Sequence, residues 1–428
     1  MKPETWVIER LVPGGDGMSR LGDGRVGFAS ETAPGDRLRV LEVEDRRQWV
    51  RATKWELLEG GPQRVTPACR YATECGGCDF MHLSDAGQLA AKRELLTQAL
   101  TRTGKLAPLP EPIEIEPSPA RTGYRSRLRV HVDRRGEVGL YAKASHALVP
   151  IEQCLVSSDA VNAGLAQLRG ALRQHTAAAR LVAEVEIRSS ALAPQLLFAL
   201  RGHAEVAGNS QPLGALLAAL APHPAVLVSE HGAADVVQHH ALGDGVTLQI
   251  EPAAFAQVNW GVNLALVEAL CGGVEARGAR RFLDLYAGAG NFTLPLLARG
   301  LSGIAVELDG AAIRSARRAA TAQGLDPKVF RSGDVRRVLP RLEKRLRFEV
   351  VIVDPPRRGA GELLHEISAL GARAVAYVGC DPVTLARDVG ALCRQGYRLE
   401  SVRGFDMFPH THHFETLAWL AREAGGGA

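Results

Sequence analysis

The sequence predicts an α/β protein whose C-terminal part is a parallel sheet covered by helices on both faces, preceded by β-rich modules. Two observations carry this expectation. From residue 281 onward, short apolar runs at 281–285, 302–306, 350–353 and 374–378 alternate with helical segments at 292–299, 311–323 and 361–370. Strands alternating with helices build a doubly covered parallel sheet. Before that point, strand-like runs punctuated by glycine and proline dominate, the pattern of small antiparallel modules. A chain of 428 residues has room for about three domains.

Taken in order, residues 1–60 read as a small OB-like barrel of five strands. Runs at 6–11, 24–28, 38–43 and 49–53 are separated by Gly14, Gly15, Gly17, Gly22, Gly24 and the Pro34-Gly35-Asp36 turn. Residues 61–84 are loop-like and hold three cysteines. Residues 85–104 read as a helix, with Leu89, Leu95, Leu96 and Leu100 at helical spacing and Gly104 where a C-cap belongs. Pro108, Pro110, Pro112, Pro117 and Pro119 mark a linker. Strand signals return at 124–257, where runs at 128–132 and 138–141 flank the Asp133-Arg134-Arg135-Gly136 turn of a hairpin. Residues 121–143 carry seven basic side chains against two acids, and Arg125, Arg127 and Arg129 alternate, so a strand would present them on one face. That face is either a solvated edge or a phosphate-contact strip. Gly425, Gly426 and Gly427 read as a flexible tail.

Composition excludes several classes. The net charge of +4 is too mild to define a partner. The longest apolar stretch, near residues 213–220, is broken by Pro222 and Pro224 and is too short to span a bilayer. The first ten residues carry Glu4 and Glu9 and no apolar core, so no membrane association is expected and the protein is placed in the cytoplasm. Seven cysteines are an odd and sparse count, which argues for reduced thiols that bind metal or do chemistry.

The segment from Phe282 to Thr293 reads strand, glycine turn, helix start, with Gly288 and Gly290 allowing close backbone approach to a ligand. Thr293 stands where a dinucleotide fingerprint needs its third glycine, so that fingerprint fails. Glu307 closes the next strand and can accept both hydroxyls of a ribose. Asp334 follows a third apolar segment and Asp354 ends a fourth. Acidic groups at successive strand ends suit a cationic nucleoside, and S-adenosylmethionine fits, which makes the fold a Rossmann-like class I methyltransferase. The alternative is a set of ordinary surface carboxylates at loop ends.

Cys380 follows the apolar run Ala376-Tyr377-Val378-Gly379 and leads into a helix expected near Thr384. A thiol near a helix N-terminus is expected to have a lowered pKa, and the thiolate is the nucleophile. Cys271 and Cys393 read as packed core thiols. Beside a methyl donor, a thiolate can add to carbon 6 of a pyrimidine and make carbon 5 nucleophilic. A base must then remove the carbon-5 proton. Glu415, flanked by Phe414 and Leu417, is the candidate, because apolar surroundings raise a carboxylate pKa. A metal site of His410, His412 and His413 is the rival, without an acidic or cysteine partner at zinc spacing. The Asp354-Pro355-Pro356-Arg357 motif lacks the aromatic residue that stacks on an exocyclic-amine substrate. It also lacks the cysteine usual in cytosine-5 enzymes.

Cys69, Cys75 and Cys78 are spaced C-x5-C-x2-C, and Cys154 follows much later. Structural zinc, a four-iron cluster and a redox pair are the possible readings. Three close cysteines with a distant fourth are more typical of iron–sulfur.

Together these motifs resemble the RNA uracil-5 methyltransferase family over nearly the whole chain. Residues 377–388 are similar to its nucleophile motif, implying Cys380 as the attacking thiol, with Gly379 where serine is frequent. Residues 408–416 are similar to its last motif, implying Glu415 as the base. Residues 255–259 resemble a segment that touches donor and substrate, implying Gln257 in cofactor binding. Tyr286, Gly288, Asn291, Glu307 and Asp334 fall on donor-contact positions, Asp334 standing where asparagine is frequent. Asp354 falls on the position that touches the target base and is also counted with the donor site. The resemblance further implies a TRAM domain at 1–60, a central β domain at 61–84 and 117–254, and a methyltransferase domain at 85–116 and 255–428. In the TRAM-bearing branch a [4Fe-4S] cluster is held on the pattern of Cys69, Cys75, Cys78 and Cys154. The expected substrate is RNA, ribosomal 23S first and transfer RNA second, and the expected state is a monomer.

Overall fold

The computed structural model describes residues 4–203, 211–228, 236–342 and 347–423. The glycine tail at 425–427 lies outside them.

The N-terminal module is a six-stranded sheet, not a five-stranded one. Its two edges, Glu4–Val7 and Arg10–Leu11, are consecutive stretches of chain separated only by Ile8 and Glu9. The sheet therefore rolls into a half-barrel around Trp6, Ile8, Leu38, Val40 and Val50. The strand missing from the sequence reading is Gly17–Arg20. It has no β-branched residue to announce it. Gly17 sits where a Cβ would lie 2.0 Å from Thr32 Oγ1.

The middle of the chain forms a second six-stranded sheet, with Arg127–Val132 between Val138–Tyr141 and Val182–Ser190. The expected hairpin is present: Asp133 Oδ1 accepts from the Arg135 and Glu137 amides at 2.8 and 2.9 Å. Leu128, Val130 and Val132 point into a core shared with helix Asp159–Gln174. Arg127 and Arg129 share the other face with His131, and both pair with an acid. Arg129 Nη2 lies 2.9 Å from Glu186 Oε2, and Arg127 Nη1 lies 3.8 Å from Glu186 Oε1. Arg125 precedes the strand and bonds the Tyr124 hydroxyl at 3.3 Å. A buried carboxylate from the neighbouring strand thus pairs with Arg127 and Arg129, while the Arg129 side chain stays half exposed.

The C-terminal sheet has eight strands. Their order is Phe330–Ser332, Ser302–Glu307, Arg281–Leu285, Val350–Val353, Ala374–Gly379, Glu415–Arg422, Tyr397–Phe405 and Glu114–Glu116. The first five are parallel, and Glu415–Arg422 is antiparallel to both neighbours. Alternate residues serve opposite faces. Leu283, Leu285, Val351 and Val353 face one helical layer, and Phe282, Val350 and Ile352 the other. Helix Asp85–Gln98 belongs to the first layer, where Leu95, Leu96 and Leu100 meet Leu385, Val389 and Leu392. Ser84 caps it by accepting from the Gly87 amide at 3.1 Å. The helix continues as a π-turn over Ala99–Thr103.

Gly104 is the C-cap residue, as its position suggests, in a right-handed conformation with φ of −69°. It is small because helix Pro382–Cys393 crosses there: a Cβ would lie 2.8 Å from the Ala386 carbonyl. Cys393 is the last residue of that crossing helix and is half-buried, whereas Cys271 is fully buried, as expected of a core thiol.

Candidate active site

Open α/β sheets bind ligands outside the carboxyl ends of their strands, where the strand order reverses. Here that point lies between Arg281–Leu285 and Val350–Val353. A cavity of 620 Å³ opens there. Gln257, Tyr286, Gly288, Asn291, Glu307, Asp334, Asp354, Cys380 and Glu415 all line it, so residues far apart in sequence converge on one space.

One half of the cavity is built by backbone. Tyr286 and Gly288 both take left-handed conformations, with φ of 66° and 56°, and turn the chain sharply out of the strand. The Gly288 amide donates to Glu307 Oε2 at 2.9 Å. The other Glu307 oxygen accepts from the Leu308 and Asp309 amides at 2.6 and 2.7 Å. Three amides therefore fix this carboxylate at the cavity wall. Asn291 is fixed as well: its amide exchanges two 2.9 Å hydrogen bonds with Asn263. Below the turn, Asp284 is fully buried and accepts from Thr293 Oγ1 at 2.5 Å, with no partner on Oδ1 among the described residues. Burial pushes its pKa up to about 7.

The other half holds the reactive side chains. Cys380 follows the last residue of strand Ala374–Gly379 and precedes Asp381, whose Oδ1 accepts from the Thr384 amide at 2.8 Å and caps helix Pro382–Cys393. The helix begins two residues earlier than the sequence suggested. The expected lowering of the thiol pKa is not found. Burial, then the Glu415 carboxylate, push it up to about 11, and only the Arg357 guanidinium opposes them. A helix end contributes about 0.3–1 kcal/mol to a nearby charge, less than loss of water and a carboxylate neighbour take away. Glu415 is 6% exposed. Burial and Asp354 push its pKa up to about 8, again against Arg357. Asp354 is pushed up to about 7 by loss of water and by Glu307.

Arg357 is thus the cation that faces both thiol and base. The sequence reading used it only to exclude a stacking aromatic. Its place directly after Asp354-Pro355-Pro356 was the signal for more. Asn263 and Asp284 were also passed over, although a carboxylate between Leu283 and Leu285 in an apolar run is itself unusual. The three histidines do not converge. His410 Nδ1 accepts from Gln88 Nε2 at 3.1 Å, His412 pairs with Asp79, and His413 Nε2 lies 3.3 Å from Arg357.

Cys69, Cys75, Cys78 and Cys154 are half-buried free thiols lining a second cavity, of 710 Å³, beside Arg125. Among the described residues no group of three or more His, Cys, Asp or Glu is placed to hold a metal ion. The donor set of four thiols around a common space still fits a multi-iron cluster, which takes one cysteine per iron.

Sheet, glycine turn, carboxylate-lined cavity and nucleoside-sized space define an S-adenosylmethionine-dependent methyltransferase fold. The family described as tRNA (uracil-5-)-methyltransferase matches residues 85–423. The 23S rRNA (uracil(1939)-C(5))-methyltransferase RlmD of Pseudomonas aeruginosa is 34% identical, over 99% of this chain and 95% of its own. The RlmD protein of Chromohalobacter salexigens is 33% identical over 98% and 90%. Among solved structures, the tRNA (uracil-54, C5)-methyltransferase of Pyrococcus abyssi, in complex with S-adenosyl-L-homocysteine, superposes with a TM-score of 0.75. It is 25% identical and covers 97% of this chain and 99% of its own. The chain belongs to the RNA uracil-5 methyltransferase family and is an enzyme.

Proposed function

We propose that the protein methylates carbon 5 of a uridine in RNA with S-adenosylmethionine, with 23S ribosomal RNA as the target. The observation that carries this reading is the meeting of Cys380, Glu415 and Asp354 in the cavity that also holds the donor-side residues. The bound donor supplies an electrophilic methyl group on a positive sulfur.

The chain's own groups do the rest. The uridine must leave its stack to reach the cavity. The Cys380 sulfur adds to carbon 6, and the ring electrons move to the carbon-4 oxygen, giving an enolate. Carbon 5 then takes the methyl group. Glu415 accepts the carbon-5 proton, the 5,6 double bond re-forms, and the thiolate leaves. Arg357 lowers the cost of the thiolate, and Asp354 is placed to accept from the base. Gln257, Tyr286, Gly288, Asn291, Glu307 and Asp334 hold the donor, with Glu307 on its ribose hydroxyls.

The same reading takes Cys69, Cys75, Cys78 and Cys154 as ligands of a [4Fe-4S] cluster. It takes the N-terminal half-barrel as a TRAM-type RNA-binding module, and the enzyme as a cytoplasmic monomer. Methyl transfer moves no net electron, so the cluster's role is structural or in docking RNA. Among the described residues, no helix is long and apolar enough to cross a membrane.

The deciding experiment is Cys380→Ala. It should bind RNA and donor yet give neither 5-methyluridine nor a covalent RNA adduct, and residual methylation would refute the adduct. Anaerobically purified protein should carry iron and sulfide. Its cluster-depleted form should bind donor but lose activity on RNA, and full turnover without iron would remove the cluster from the reading. Mapping 5-methyluridine in ribosomal and transfer RNA from a deletion strain separates the two targets.

A further inference from the structure

The loop that precedes Glu415 is held by segments far from it in sequence. The Tyr124 hydroxyl donates to the Pro409 carbonyl at 3.1 Å, and Lys92, buried against Asp406, reaches the Phe408 carbonyl at 3.1 Å. The cysteine-bearing loop contributes the most direct link. The Phe80 amide donates to the His410 carbonyl at 2.9 Å. Asp79, the residue after Cys78, accepts from the His412 amide at 2.9 Å on Oδ1, and its Oδ2 pairs with His412 Nδ1. The His412 and His413 rings lie 3.9 Å apart. His413 Nε2 accepts from the Arg357 guanidinium at 3.3 Å. Arg357 and Cys380 line the same part of the active-site cavity. The N-terminal half-barrel closes on the same pair: a Cβ on Gly15 would lie 3.0 Å from Asp79 Oδ2 and 3.4 Å from His412 Nδ1. A side chain in the cysteine loop is therefore joined through His412 and His413 to Arg357, the cation that lines the cavity with the nucleophile.

We propose that Asp79 and His412 are positioning residues for methyl transfer: they fix His413, which aims the Arg357 guanidinium at the Cys380 sulfur, so that the order of the cysteine loop sets the reactivity of the nucleophile. The proposal rests on the function given above. It adds a route by which the cluster region acts on chemistry rather than on RNA docking alone. Without the Asp79 carboxylate, His412 loses the partners of both its ring Nδ1 and its amide. His413 then loses the ring it packs on, and Arg357 is released from the geometry in which it lowers the cost of a thiolate. Nothing in this route changes the donor-side wall of the cavity.

The test is the alkylation rate of Cys380 by iodoacetamide, followed by peptide mass spectrometry between pH 7 and 10. It needs neither RNA nor methyl transfer. Asp79→Ala and His412→Ala should slow alkylation at pH 8 about tenfold and move its pH profile upward. Asp79→Asn, which keeps an acceptor for the His412 amide, should do so less. In RNA methylation kcat should fall while KM for RNA holds. Binding of S-adenosylhomocysteine should stay within about twofold in each case. His413→Gln, whose amide oxygen can accept from Arg357, should recover the rate that His413→Ala loses. Wild-type alkylation in both Asp79→Ala and His412→Ala overturns the proposal. If Asp79→Ala also loses iron, His412→Ala with its iron retained decides alone, because it changes no residue of the cysteine loop: slowing supports the route, and an unchanged rate overturns it. A wild-type enzyme that made no 5-methyluridine would instead defeat the proposed function and leave the thiol measurement standing.

Discussion

Replacing Glu415 by Gln should drive two properties of the site in opposite directions. The carboxylate is the second cause, after burial, of the Cys380 thiol standing near 11, above the ordinary range of a free thiol. Glu415 itself sits at about 8, so at pH 9 about nine-tenths of it is ionised and repels a thiolate. Gln has nearly the same shape and no charge. A neighbouring charge of this kind is worth on the order of 1.4 kcal/mol, which is a factor of about ten in thiolate population. Iodoacetamide should therefore modify Cys380 several-fold to tenfold faster in Glu415→Gln than in wild type at pH 9. At pH 6, where Glu415 is protonated, the two rates should converge. Turnover should move the other way, by about 10²–10⁴, and a methylated covalent RNA adduct should accumulate because the carbon-5 proton stays in place. The adduct is read on denaturing gels with labelled donor. Slower alkylation at pH 9 would refute the electrostatic argument, and turnover without adduct would mean that another group is the base.

Two further outcomes follow from the geometry. Asp354 and Glu415 lose their protons near 7 and 8, so the cavity becomes more negative between pH 6 and 9. Calorimetry should show S-adenosylmethionine binding about tenfold tighter across that range, while S-adenosylhomocysteine, with a neutral sulfur, changes little; equal slopes would put the sulfonium away from these carboxylates. Gly104→Ala would place a Cβ 2.7 Å from the Leu100 carbonyl and 2.8 Å from that of Ala386. The two helices must part, and thermal unfolding should show a loss of about 1–3 kcal/mol. A neutral effect would mean that this crossing is loose.

The catalytic elements were legible in the sequence because their residues stand at the ends of apolar runs, and a buried parallel strand is an apolar run. Glu307, Asp354 and Cys380 could be placed at strand ends on that ground alone, and the turn at Gly288 by its glycines. What could not be read depends on partners distant in sequence. The raised thiol pKa comes from Glu415 and from burial, neither visible beside Cys380. Nothing beside Arg127 and Arg129 in the sequence shows their partner, Glu186, which the strand Val182–Ser190 supplies. Gly104 has the sequence look of a cap, but the need for it comes from a helix nearly three hundred residues on. Gly17–Arg20 forms a strand because its neighbours Val26–Ala29 and Arg10–Leu11 require a partner, not because its residues favour one.

The edge strand Glu114–Glu116 pairs with Arg403–Phe405 and with nothing else in the eight-stranded sheet. During synthesis, Ile115 leaves the ribosome after the half-barrel and long before Gly404 exists, and the strands of the middle sheet are made in between. Helix Asp85–Gln98 waits with it, its leucines bare until helix Pro382–Cys393 arrives. The methyltransferase unit therefore closes last around a piece made early, and a chain that stops short of residue 415 leaves a gap in the interior of that sheet rather than a shortened end.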